Sequence, residues 1–131
     1  MISIIIPFRN EFEEIDKVIS HLLSTSRIGT NNLEIIVVND GSVHNSGRFR
    51  PLELDFSGTR VLNNSKSFGV GYAFDRGVSI ASHDTIILMG CDVFPEVGWD
   101  SRVIEAVNSK PETLGCAVCV GDKPPDRKSV V

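Results

Sequence analysis

The chain has 131 residues, 41% hydrophobic and 23% charged, with 13 Lys+Arg against 17 Asp+Glu and a net charge of −4. That length suits one domain with a real core, and the composition is that of an ordinary soluble globular protein. The acidic excess argues against nucleic acid or an anionic membrane surface as the main partner, because both demand a basic footprint.

Ile2–Ile6 is a short β-branched run closed by Pro7, the pattern of a buried strand. Asn10 followed by Glu13 reads as a capping box with Asn in place of Ser or Thr. Ile15, Val18, Ile19 and Leu22 then fall on one helix face. Glu11, Glu13 and Glu14 stand at the positive end of that helix and Arg27 near its negative end, as the macrodipole favours. Leu33–Val38 is a second apolar strand, ending in Asn39-Asp40-Gly41-Ser42. Residues 43–57 read as an irregular polar loop broken by Gly47 and Pro51, and Thr59–Leu62 as a third short strand. Val70, Ala73, Phe74, Gly77, Val78 and Ala81 recur at helical spacing, which predicts a second helix. Thr85–Met89 is the fourth strand and leads into Asp92. A helix carrying Val103, Ala106 and Val107 on one face is expected from about Trp99, and Leu114–Val120 reads as a fifth strand. The segment from Gly121 is polar and Pro-rich, so the domain is taken as 1–120 and 121–131 as a loose tail.

Nearly all-apolar strands alternating with amphipathic helices imply an α/β domain, a mostly parallel sheet in a three-layer α/β/α, Rossmann-like arrangement. In such sheets ligands bind outside the carboxyl ends of the strands. Three of those ends carry polar groups: Pro7-Phe8-Arg9-Asn10, Asn39-Asp40-Gly41-Ser42 and Cys91-Asp92. The expected site is one rim lined by Asp40 and Asp92. Its first turn is too bulky for the G-x-G-x-x-G of a dinucleotide site, and no P-loop occurs in the sequence. A carboxylate at position 40 only accepts hydrogen bonds, so it suits a base with a ring N–H, meaning uracil, thymine or guanine; an Asx-type turn that bonds its own backbone fits the same residues.

Other residues have plain structural readings beside chemical ones. Cys116 and Cys119 match C-x-x-C but lie in an apolar run with no second pair to complete a zinc site. His21, His44 and His83 have no spaced partners. An odd cysteine count, no basic signal-peptide start in "MISIIIPFRNE", and no run of roughly 18 apolar residues as a membrane span requires together suggest a reduced, cytoplasmic protein without a transmembrane segment.

Taken in order, "SIIIPFRNE", "EIIVVNDGS", "FGVGYAFDRGVSIASHDTIILMGCDVFP" and the following "GW" resemble the nucleotide-sugar-binding half of family 2 glycosyltransferases, which have the GT-A fold, over about residues 2–107. The resemblance implies that Pro7, Phe8 and Arg9 lie against the nucleoside, that Asp40 bonds the base, and that Asp92 binds a divalent metal, Mn²⁺ or Mg²⁺, on the diphosphate. Glu11 matches the family's acid after the first strand, and helix capping accounts for it equally well. Gly69 marks a helix start that in the family passes close to the nucleotide, and turn geometry explains it too. Cys91, beside Asp92, is counted with the same nucleotide-binding set, and packing in the core accounts for it more simply. The implied partner is a nucleoside-diphosphate sugar, UDP-linked by preference, whose sugar passes to an acceptor hydroxyl.

Two departures stand out. The family's D-x-D motif has acids at both ends, whereas Gly90-Cys91-Asp92 begins with glycine; and where relatives read Ala-Arg-Asn-x-Gly, this chain reads Ala73-Phe74-Asp75-Arg76-Gly77. In the family the catalytic base comes from a C-terminal half, and no residue here is a candidate for it. A truncated or degenerate, non-catalytic nucleotide-binding relative is therefore the alternative. A nucleotidyltransferase would open with a glycine- and basic-rich loop after the first strand, which this chain does not have.

Overall fold

Isoleucine and valine dominate the two segments that form the centre of the sheet, because a strand covered on both faces must be apolar at every position. The structure is a computed structural model that describes residues 1–110, so the expected strand at Leu114–Val120, the Cys116/Cys119 pair and the tail from Gly121 lie outside the described residues. In chain order the elements are β1 (Ile2–Phe8), α1 (Phe12–Thr25), β2 (Leu33–Asp40), β3 (Thr59–Asn64), α2 (Val70–Ile80), β4 (Thr85–Leu88) and α3 (Trp99–Ser109), with a short 3₁₀ turn at Thr30–Asn32. The four strands form one sheet in the order β3-β2-β1-β4, parallel at every pairing.

Alternation along the strands divides the core in two. Ile2, Ile4, Ile6 and Phe8 pack with Ile15, Val18, Ile19 and Leu22 of α1 and with Trp99, Val103 and Ile104 of α3. Ile5, Ile36 and Val38 face the other way, onto Ala73 and Phe74 of α2. The result is the three-layer α/β/α arrangement. The α2 layer sits close: a Cβ on Gly77 would lie 2.2 Å from Cγ2 of the buried Ile5.

Several boundaries differ from the sequence reading. β1 continues through Pro7 to Phe8, since its pairing with β4 stops at Ile5 and leaves Pro7 one side where no ladder donor is needed. β2 and β3 both run two residues further than expected, which pairs Asp40 with Asn64. The capping box does not form. α1 starts at Phe12 with Glu11 at its N-cap and no side-chain cap bond, because the Asn10 side chain crosses to accept from the Val43 amide at 2.8 Å. Asn10 takes up a left-handed φ of 65° to do so.

Segment 43–57 is mostly irregular, as expected, but it is anchored. Val43 and Phe49 form an antiparallel bridge, and Leu52 is buried in the larger core. Asn63, on the outer strand β3, accepts from the Leu52 amide and donates to its carbonyl, acting as a substitute strand edge. On α3 the inward face is Trp99, Asp100, Val103 and Ile104, whereas Ala106 is exposed. On α2 only Ala73 and Gly77 are fully covered, and Val70 and Val78 of the expected stripe are exposed.

Candidate functional site

The carboxyl ends of β2, β1 and β4 lie side by side, so Asp40 and the segment carrying Asp92 share one edge of the sheet. One strand separates them, which at the usual strand spacing is about 10 Å. They are neighbours along an edge, not in contact.

Asp40 is 7% exposed. Its Oδ2 accepts from the Ser67 hydroxyl at 2.8 Å and its Oδ1 from the Phe68 amide at 2.9 Å. The local Asx turn belongs instead to Asn39, whose Oδ1 accepts from the Ser42 amide while its Nδ2 donates to the Arg50 carbonyl and Asn63 Oδ1. The Ser65–Gly69 segment thus straps across the end of β2. Gly41 makes this possible: at φ +68° a Cβ would sit 2.3 Å from the Ser67 nitrogen. Ser42 in turn accepts from the Asn10 amide at 2.8 Å, stitching the end of β1 to the turn after β2.

Of the first-strand residues, Pro7 and Phe8 are buried and Arg9 is exposed. The Phe8 ring stacks edge-on against Phe12, centroids 5.2 Å apart, and the Arg50 guanidinium lies 3.8 Å above the Phe12 ring. Beside them a hollow of about 330 Å³ is lined by Asn10–Glu14 and Arg50. A second hollow, of about 280 Å³ around Leu23, Asn31 and Gly58, opens away from these groups at the start of β2.

Glu11 and Cys91 are brought together: the thiol donates to Glu11 Oε2 at 2.8 Å. Burial first, then Glu11 and Asp92, push the Cys91 thiol up to about 12, so it stays protonated and unreactive. Asp92 itself is exposed. Its Oδ1 lies over Gly90, 3.1 Å from where a Cβ would stand, so the carboxylate occupies room that an acid at position 90 would need. The segment that follows is fastened to α1. His21 Nε2 bonds the Pro95 carbonyl, the Gly98 amide donates to the Thr25 carbonyl, and Trp99 Nε1 donates to Thr25 Oγ1. Gly69, at φ +94°, is the N-cap of α2, whose first turn has no side-chain cap.

The donor set decides what cation these residues could hold. Among the described residues no group of three His, Cys, Asp or Glu side chains could grip an ion, and Glu11 is engaged with Cys91. One exposed carboxylate fits an Mg²⁺- or Mn²⁺-type ion that keeps its waters and takes its other ligands from phosphate oxygens. It does not fit a tightly caged metal.

Sequence reasoning missed Ser67, Asn64, Asn39 and Asp100. The dipeptide Asn39-Asp40 at a strand end was a visible signal for one of them; the others depend on partners 12 to 74 residues away.

The match to "Glycosyl transferase family 2" runs over residues 3–130. Glycosyltransferase GlyG of Streptococcus pneumoniae is 29% identical over 93 residues, covering 70% of this chain and 30% of that protein. The crystal structure of S. aureus TarS 1-349 superposes with a TM-score of 0.66 at 14% identity, over 82% of this chain and 32% of the other. The mannosyltransferase PcManGT from Pyrobaculum calidifontis, in complex with GDP-Man and Mn²⁺, gives 0.64 at 14% identity, over 87% and 33%. The chain thus spans about a third of the length of these proteins. Among the described residues no helix is long and apolar enough to cross a membrane.

Proposed function

This chain belongs to glycosyl transferase family 2, with a Rossmann-like α/β fold of the GT-A type, and from that premise we propose that it is the donor-binding portion of a glycosyltransferase. It holds a nucleoside-diphosphate sugar, UDP-linked by preference, for transfer of the sugar to an acceptor hydroxyl. The observation that carries this reading is the common sheet edge beside which Asp40 and Asp92 both lie, in a chain whose family match covers nearly its whole length.

In this reading Asp40 accepts the ring N–H of the base, Arg9 lies against the nucleoside, and the uncapped start of α2 after Gly69 faces the diphosphate, where free amides favour an anion. Asp92 holds the divalent cation against the phosphates. The cation, when bound, neutralises charge that develops on the departing diphosphate. Pro7 and Phe8 support the rim from within the core. Glu11 and Cys91 act through each other: the thiol bond keeps the end of β1 next to the loop carrying Asp92. The acceptor-side base is assigned to no described residue, so full transfer needs groups beyond these.

Calorimetric titration of UDP with Mn²⁺ tests the reading. Binding that weakens at least tenfold in Asp92→Asn supports it, whereas no binding at millimolar UDP refutes it. Gly90 favours the second reading, a relative that binds nucleotide without transferring sugar, since it removes one of the family's two acids. Release of sugar from a UDP-sugar by the purified chain, abolished in Asp92→Asn, would exclude that alternative.

A further inference from the structure

We propose that Asn64 reads the base alongside Asp40, and that Arg76 is the positioning residue that makes it a hydrogen-bond donor. The proposal rests on the nucleotide reading above and adds a determinant of base identity to it.

Asp40 and Asn64 are register partners at the carboxyl ends of β2 and β3. Ile36 and Val38 of β2 and Leu62 of β3 face α2, so the two-residue alternation of a strand directs Asp40 and Asn64 to that same face. Both are nearly buried, at 7% and 4% exposure. Asn64 Oδ1 accepts from Arg76 Nη1. A guanidinium can only donate, so this contact fixes the amide: oxygen toward Arg76, nitrogen away from it. Asn64 Nδ2 is then a buried donor that no described residue satisfies. A buried donor left unmet is costly and uncommon in native structures, and it calls for a partner.

Next to it stands a carboxylate, which only accepts. An acceptor and a donor on adjacent strand ends complement a ring edge that presents N–H beside C=O. Uracil, thymine and guanine carry the N–H on the ring and the C=O outside it, whereas cytosine and adenine reverse the two, so the pair separates these groups when the ribose and diphosphate fix the position of the ring. The strap of Ser65–Gly69, exposed along its whole length, closes over Asp40 through the Ser67 and Phe68 bonds. A base enters by displacing that strap, and its N–H replaces the Ser67 hydroxyl.

The test compares UDP and CDP, each with Mn²⁺, by calorimetry on the full chain. Wild type should prefer UDP by tenfold or more, with GDP following UDP in every variant. Asn64→Leu should lower the UDP/CDP affinity ratio about tenfold, the value of one hydrogen bond. Asn64→Asp keeps an oxygen for Arg76 but offers an acceptor in place of the donor, so the ratio should fall at least as far. Arg76→Met frees the amide to turn over and should lower the ratio part of the way. A merely structural role would weaken both nucleotides alike and leave the ratio unchanged. An unchanged ratio in folded Asn64→Asp overturns this inference alone; failure of wild type to bind either nucleotide overturns it together with the donor-binding reading.

Discussion

Replacing Asp100 by alanine should remove a large share of the domain's stability. The residue is fully buried at the start of α3, and its carboxylate gathers the chain where α1 ends. It accepts from the Ser26 hydroxyl, from the Arg27 amide at 2.9 and 3.0 Å, from the Ile28 amide at 3.1 Å and from the Ser101 amide at 2.9 Å. The Ser101 amide sits in the first helical turn, where donors ordinarily lack partners, but Ser26, Arg27 and Ile28 have no such excuse. Three unmet donors at about 1–3 kcal/mol each, partly rescued by water entering a surface loop, give an expected loss of about 3 kcal/mol. Against a typical total of about 5–15 kcal/mol that is severe, and it corresponds to a drop of about 10 °C or more in melting temperature. Urea titration followed by Trp99 fluorescence measures it well, because the chain's single tryptophan is buried beside this cluster.

Acid should reveal the same contact. Burial alone raises the Asp100 carboxyl, but the bonds from Ser26, Arg27, Ile28 and Ser101 outweigh it and hold the group below its ordinary 3.8. A depressed carboxyl contributes stability that is complete above the unfolded-state value and lost as pH falls through the folded one. The gap between wild type and Asp100→Asn should therefore be constant near neutrality and close below about pH 4. A loss under 1 kcal/mol in Asp100→Ala, or a gap that stays flat from pH 7 to pH 3, would refute the reasoning.

Gly41→Ala should destabilise the fold: it meets a left-handed φ of 68° and a strap nitrogen 2.3 Å from the new Cβ. A loss of about 2 kcal/mol or more in urea titration is expected, and a near-neutral outcome would show that the strap does not pack on the turn. Gly90→Asp restores an acid where the backbone is outside the left-handed region, provided the Asp92 carboxylate turns aside. Mn²⁺-dependent UDP affinity should rise about tenfold if the second carboxylate joins the cation, and unchanged affinity across a Mn²⁺ series would reject that role.

The order of strands and helices, the burial of β1 and β2 and the inner face of α1 were all present in the sequence, because apolar periodicity is a local property. Ile2, Ile4 and Ile6 must be covered wherever the chain goes, and Ile15, Val18, Ile19 and Leu22 can share a face only on a helix. The same periodicity located the polar strand ends and so the edge that carries Asp40 and Asp92. What those polar groups bond to was decided only by assembly. Asn10 abandons its capping role for Val43, Asp40 takes Ser67 and Phe68 in place of its own turn, and Asp100 and Arg76 find partners on other elements. A side-chain oxygen or amide has several local partners of nearly equal worth, and the choice falls to whichever distant donor the packed sheet places within reach.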